Sequence, residues 1–292
     1  MKHYKKEQDG KLEAGLILYT KHFALTVDRA LCKGCQICRL ACPKEAITRI
    51  PQADLDGPDG SAVAVAPRMD VDEAKCDYCG ICALACPFSA IAVTAKELNK
   101  DRVDNRVSAD IFPVLVRDIK VDNARCKPGC RQCEEICPLG VLSVDTDKGE
   151  VAVKAELCAG CPACWMECPE DAIEVSKFIE GIIEIDEELC PEGCRRCVDV
   201  CPVNALELDE DDIVFAKEMV CMYCGACAEV CPQEGALRVE RTAIRHTPVE
   251  SGAWNKGLER LTSAEGLQRE MAAANAAKAR AALKNLETEV NA

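Results

Sequence analysis

Short runs in which apolar and polar residues alternate recur along the chain, always beside a group of cysteines. ALTVD, IKVD and IIEID lead into such groups, and AITRI, AIAVT, VLSVD, AIEVS and ALELD follow them. Alternation with a period of two predicts half-buried strands. Between the strands the period changes. The last two cysteines of each group are four apart, as in Cys38 and Cys42, which places them on one face of a helix with Cβ atoms roughly 6 Å apart. A proline follows the last cysteine and stops that helix. Each unit therefore reads as strand, cysteine loop, short helix, turn, strand, and the fold class is α+β.

The unit occurs six times in 292 residues with the frame CxxCxxCxxxCP, two copies carrying one extra residue in the first gap. The copies hold Cys32, Cys35, Cys38 and Cys42; Cys76, Cys79, Cys82 and Cys86; Cys126, Cys130, Cys133 and Cys137; Cys158, Cys161, Cys164 and Cys168; Cys190, Cys194, Cys197 and Cys201; and Cys221, Cys224, Cys227 and Cys231. All 24 cysteines fall in these frames, so none is left for a nucleophile. The long-gap form occurs only in units three and five, each with Pro and Gly in its loop and each followed by a normal unit. Units three with four and five with six thus form two copies of one larger repeat, and one with two makes the third pair. The gap between frames is 20 residues in the second pair, 19 in the third and 33 in the first. The excess in the first pair, IPQADLDGPDGSAVAVAP, reads as a surface hairpin. An arrangement with one pair nested inside another stays open. The expected organisation is an extension at 1–27, paired units at 28–95 with the hairpin insert at 50–67, a linker at 96–119, paired units at 120–178 and at 179–240, and a helical tail at 241–292.

Frames of this kind are the bacterial ferredoxin run, in which three cysteines hold one [4Fe–4S] cluster and the fourth holds the other. The expectation is six clusters in tandem 2[4Fe–4S] ferredoxin domains. Cys32, Cys35 and Cys38 share a cluster with Cys86, and Cys76, Cys79 and Cys82 with Cys42. Cys168 joins the Cys126 triad and Cys137 the Cys158 triad; Cys231 joins the Cys190 triad and Cys201 the Cys221 triad. Two other chemistries use related spacings. Cys126, Cys130 and Cys133 match the CxxxCxxC of radical-SAM enzymes, but Cys137 supplies a fourth thiolate and the next frame leaves no room for a barrel. Structural zinc sites use two separated CxxC knuckles, unlike these compact frames. Every frame is complete, which leaves no iron open for substrate, and Gly34, Gly80, Gly129, Gly160, Gly193 and Gly225 let backbone N–H groups approach the sulfurs.

Composition narrows the reading further. Aromatic residues make up only 4% of the chain, so the chain suits several small units rather than one large aromatic core. A secreted disulfide scaffold is disfavoured because MKHYKKEQDGKLEAG scatters charges where a signal peptide needs an apolar run. No apolar stretch has spanning length, and the expected location is cytoplasmic, without a membrane. The net charge of −14 argues against nucleic acid, and residues 180–219 hold thirteen Asp or Glu against three Lys or Arg, either a solvated face or a surface that steers a basic partner. No phosphate loop or Ser/His/Asp arrangement is evident. His3, His22 and His246 read as packing or surface residues, and Tyr78, Trp165 and Tyr223 as shields over the cysteine loops.

Beyond the last frame, Thr262 and Glu265 have capping-box spacing before an Ala-rich segment, a helix that docks on this chain or on a neighbour. The order of a long-gap unit followed by a CxxCG-like unit, together with the tail RHTPVESGAWNKGLERLTS from Arg245 to Ser263, resembles the polyferredoxin component of tungsten or molybdenum formylmethanofuran dehydrogenase from methanogenic archaea. The resemblance implies a non-catalytic electron conduit that feeds a metal-pterin site reducing CO2 in methanogenesis. The partners it implies are the catalytic subunits of that enzyme, a small ferredoxin-like subunit, and heterodisulfide reductase or a second polyferredoxin copy. The rival readings are a polyferredoxin of a hydrogenase or heterodisulfide reductase complex, and a free iron–sulfur enzyme.

Overall fold

Strand pairing decides which frames belong together. The structure, a computed structural model, describes residues 1–57, 61–98, 103–105, 113–248 and 252–263. The chain opens with β1 (Lys2–Gln8), β2 (Lys11–Ile17) and β3 (Lys21–Asp28), followed by α1 (Ile37–Ala41), β4 (Ile47–Ile50), β5 (Leu55–Asp56), β6 (Ala62–Val63), β7 (Arg68–Val71), α2 (Ile81–Ala85), β8 (Ile91–Glu97) and β9 (Val103–Asn105). The strand that leads into the first frame, β3, pairs antiparallel with the strand that leaves the second, β8, while β4 pairs with β7. Leu25 stands opposite Val93, and the buried faces of both strands meet there. Residues 1–27, read as an extension, supply β1, β2 and most of β3, so the sheet grows to five strands in the order β1-β2-β3-β8-β9. Within the 50–67 insert, β5 pairs with β6 as the expected hairpin. Its return leg lies on the first cysteine loop: a Cβ at Gly34 would stand 2.5 Å from the Pro67 carbonyl oxygen.

The same closure recurs twice. β10 (Asp118–Val121), α3 (Gln132–Glu135), β11 (Leu142–Asp145), β12 (Glu150–Val153), α4 (Ala163–Met166) and β13 (Ile173–Ser176) form the second unit, with β10 on β13 and β11 on β12. The third consists of β14 (Ile179–Ile185), α5 (Arg196–Asp199), β15 (Leu206–Leu208), β16 (Val214–Ala216), α6 (Ala226–Val230) and β17 (Leu237–Ile244), with β14 on β17 and β15 on β16. Frames pair in sequence order, one with two, three with four and five with six, and the helices pack accordingly as α1 on α2, α3 on α4 and α5 on α6. Gly181 sits at a register shift in β14, where a Cβ would stand 2.1 Å from the Glu240 carbonyl oxygen.

Apolar burial joins these units unequally. The second has a small core of its own around Val141, Leu142, Ile173 and Val175. The first and third share one core, which also takes in Ala159 and Cys161 of the second, Phe178 and the helix α7 (Gly252–Thr262). Trp254, Leu258 and Leu261 of α7 are buried, and Gly257 lies so close to α2 that a Cβ would stand 2.9 Å from Ile81. Arg260 donates to the Cys42 carbonyl at 3.3 Å. The family-like segment therefore packs on its own chain. The Ala-rich stretch after Thr262, including Glu265 of the capping box, lies outside the described residues. Among the described residues no helix is long and apolar enough to cross a membrane.

A buried carboxylate fastens the first unit to the third. Glu229, whose side chain is 1% exposed, accepts from Arg39 at 3.0 Å and from Arg49 at 2.8 Å. Removing it leaves two largely buried guanidinium groups facing apolar surface, and breaking such a set costs about 3–5 kcal/mol. Anaerobic denaturant titration of Glu229→Ala should show a loss of about 3 kcal/mol, the low end because both arginines keep some exposure. Leu258→Ala, which empties part of the seat of α7, should cost about 2–4 kcal/mol in the same titration. A change below about half a kilocalorie in either, the scale of an ordinary surface substitution, would contradict the shared core.

Candidate iron–sulfur sites

The cysteine loops coil because their backbones alternate between right- and left-handed conformations. In the first frame Gly34 and Gln36 have φ of 67° and 60°, in the second Tyr78 and Gly80 have 55° and 88°, and in the sixth Tyr223 and Gly225 have 52° and 87°. Successive N–H groups then point into one hollow, a nest suited to an anion. In the fourth frame Gly160 takes the first such position at 74°, and Pro162, with its fixed negative φ, excludes the second. The long-gap loops keep one each, at Gly129 and Gly193.

A second left-handed residue follows every frame. Glu45, Ser89, Gly140, Asp171 and Asn204 stand three residues after the fourth cysteine, with φ between 47° and 60°. This turn carries the next N–H back to the sulfur: Ala46 donates to Cys42 at 3.4 Å, Ala90 to Cys86 at 3.3 Å, Ala172 to Cys168 at 3.3 Å and Ala205 to Cys201 at 3.1 Å. The sixth frame has one extra residue here, so Gly235 takes the left-handed position instead. The first cysteines accept as well, Cys158 from Gly160 and Cys221 from Tyr223, both at 3.4 Å.

Four hollows result, each lined by three cysteines of one frame and the fourth of its partner. Cys76, Cys79, Cys82 and Cys42 line one, and Cys126, Cys130, Cys133 and Cys168 a second. Cys190, Cys194, Cys197 and Cys231 line a third, and Cys221, Cys224, Cys227 and Cys201 a fourth. The remaining eight cysteines meet in the same pattern. Cys38 is pushed well above the ordinary thiol range by burial and by the neighbouring Cys86 and Cys32, and Cys35 by burial, with Cys86 and Cys38 among its neighbours. Burial, with Cys137 nearby in each case, raises Cys158, takes Cys161 up to about 11 and takes Cys164 up to about 12.

Burial likewise takes Cys76 and Cys79 up to about 11, and Cys197 and Cys224 up to about 12. The metal-free protein therefore holds neutral thiols there at neutral pH, and binding iron must expel their protons. All 24 cysteines are free of disulfides. Among the described residues no three His, Cys, Asp or Glu side chains are grouped to hold a single metal ion. Four sulfur donors and N–H groups that reach the sulfurs together fit a compact anionic iron–sulfide cluster. Tyr78 and Tyr223 are buried and border two of the hollows, whereas Trp165 is 41% exposed. The histidines bond elsewhere: His3 to the Glu73 carbonyl, His22 to Tyr4, and His246 to the Thr247 carbonyl.

Known proteins share these features. The chain matches the 4Fe-4S dicluster domain family over residues 31–90 and 189–235, and the 4Fe-4S binding domain family over 155–171. It is 42% identical over 59 residues to an uncharacterized ferredoxin, MJ0199, of Methanocaldococcus jannaschii, a stretch that takes in 20% of this chain and 94% of that protein. It is 34% identical over 110 residues to the polyferredoxin protein MvhB of Methanothermobacter marburgensis, 34% of this chain but only 25% of the longer protein. A chain from the formate dehydrogenase, heterodisulfide reductase and formylmethanofuran dehydrogenase complex of Methanospirillum hungatei superposes with a TM-score of 0.73 at 29% identity, over 90% of this chain and 92% of that one.

Double variants separate crossed from uncrossed ligation. If Cys126 and Cys168 serve one cluster, Cys126→Ala with Cys168→Ala should lose about 4 iron per chain, while Cys126→Ala with Cys137→Ala should lose about 8, at four per cluster. Iron and sulfide analysis of anaerobically reconstituted protein reads the difference. The opposite order of losses would mean that each frame closes on its own fourth cysteine.

Proposed function

Because the chain belongs to the ferredoxins that carry 4Fe-4S dicluster domains, we propose that it is the polyferredoxin that conducts electrons through six [4Fe–4S] clusters to a formylmethanofuran dehydrogenase. The superposition over nine-tenths of the chain on a component of an assembly containing that enzyme carries the reading. The tail from Arg245 to Ser263 belongs to the same resemblance, and within it α7 packs on α1 and α2. At the coarser level the chain is an electron-transfer polyferredoxin of the kind found in methanogen oxidoreductase complexes.

Each cluster, when bound, takes up and gives back one electron. The protein's part is to hold, space and shield. Thiolates from two frames fix each site, so the two sites of a pair cannot drift apart. Inside each pair the third cysteines face one another: the charge of Cys38 reaches Cys82, that of Cys133 reaches Cys164 and that of Cys197 reaches Cys227. Four cysteines at every site leave no position for substrate, which supports conduction rather than catalysis. The same assembly also contains heterodisulfide reductase, which favours a second reading, a polyferredoxin of a hydrogenase or heterodisulfide reductase complex.

Affinity purification of the tagged chain from its own cells under anaerobic conditions separates the two. Formylmethanofuran dehydrogenase catalytic subunits should copurify, and the isolated reconstituted chain should exchange electrons with a dye while neither reducing CO2 nor oxidising formate. Recovery of hydrogenase subunits alone would favour the second reading, and CO2 reduction by the isolated chain would overturn both.

A further inference from the structure

The six cysteine sets differ in exposure in a regular way. Three sets have three buried cysteines each: Cys35, Cys38 and Cys86; Cys158, Cys161 and Cys164; Cys221, Cys224 and Cys227. The other three have one each, Cys82, Cys133 and Cys197. Every pair of frames thus has an inner and an outer site. The inner sites lie together: the charge of Cys224 reaches Cys35, and the backbones carrying Cys86 and Cys158 are joined through one side chain.

That side chain is Arg117, from the segment read as a linker. Its guanidinium donates to the Cys86 carbonyl at 3.2 Å, to the Pro87 carbonyl at 2.8 Å, to Ser89 Oγ at 3.1 Å and to the Cys158 carbonyl. It lies 5.1 Å from the ring centre of buried Phe178. A second cation, Lys177, directly precedes Phe178 in the chain. Lys177 donates to the Glu218 carbonyl at 2.5 Å and lies 5.0 Å from the centre of the Tyr223 ring, in the loop of the inner set of the third pair. Burial pulls Lys177 below the ordinary lysine range, against the charges of Cys221, Glu218, Cys161 and Glu180, which hold its proton. Arg117 feels Cys86 and Cys158, with Glu156 beyond.

Burial alone opposes reduction, because adding an electron makes an already anionic cluster more negative in a medium that solvates charge poorly. The three inner sites would then be the hardest to reduce, and any electron passing between pairs would have to climb. A fixed positive charge shared by two sites acts the other way. We propose that Arg117 and Lys177 are potential-setting residues: Arg117 raises the inner sites of the first and second pairs, Lys177 those of the second and third, and together they keep the junction of the three pairs passable. The proposal rests on the six-cluster reading.

Anaerobic redox titration of the full reconstituted chain, followed by electron paramagnetic resonance, tests it. In the parent protein the six clusters take up six one-electron equivalents. Arg117→Gln should move two of these to lower potential, Lys177→Gln two, and the double variant three, because one site is common to both. The expected size is a roughly tenfold change in the ratio of oxidised to reduced cluster at fixed potential, about 59 mV for a one-electron couple. Arg117→Lys, which keeps the charge but loses the fork of hydrogen bonds, should restore most of the shift while lowering thermal stability as Arg117→Gln does. A uniform shift of all six, no shift at all, or failure of the lysine to restore the potentials would overturn the proposal. Iron near about 24 per chain with no shift counts against these residues alone, whereas iron far below about four per site counts against the clusters themselves.

Discussion

Each hollow of the protein needs two frames to line it, and the rest of the architecture follows from that constraint. A frame brings three sulfurs to its own hollow and sends its fourth, on the far end of a one-turn helix, to its partner's. Two frames must therefore lie helix against helix, and the strands that flank them are left to pair at both ends. Helices of four or five residues have little stability alone. Metal ligation and the strand pairs hold them, which is how a chain with so few aromatic residues forms ordered units.

Three such units could have been strung as beads. Instead the first and third are joined by a common core and by Glu229. The second has a core of its own, reaches the shared core through Ala159 and Cys161, and is tied further by polar contacts at Arg117 and Lys177 and by Ser89, whose hydroxyl donates to the Glu156 carbonyl at 2.6 Å. These contacts gather the more buried site of each pair toward the middle and leave the more exposed sites outward. In the third unit Asp209, Glu210, Asp211 and Asp212 form an exposed acidic run.

Much of this was legible in the sequence, for physical reasons that differ by feature. Alternation in ALTVD or AIAVT marks a strand because one face is buried, and cysteines four apart before a proline mark a helix of one turn. The long first gap in units three and five pointed to the correct partners. The left-handed residues after each frame were not legible, because Glu45, Ser89, Asp171 and Asn204 share no side-chain chemistry; the backbone turn, not the residue type, recurs. Arg117 and Lys177 were missed because their significance lies in what surrounds them, and no spacing relates Arg117 to Cys86 and Cys158. The seat of α7 depends on a contact between Gly257 and Ile81, far apart in the chain, which no local pattern reveals.

The central claim is that six clusters are each held by three cysteines of one frame and one of its partner. Diffraction from crystals of the reconstituted chain, measured at the iron absorption edge, tests it most directly. The account predicts six anomalous peaks, with Cys42 bonded at the site of Cys76, Cys79 and Cys82, Cys86 at the site of Cys32, Cys35 and Cys38, and the same exchange in the other two pairs. Fewer than six peaks, or a fourth cysteine closing the site of its own frame, would contradict it.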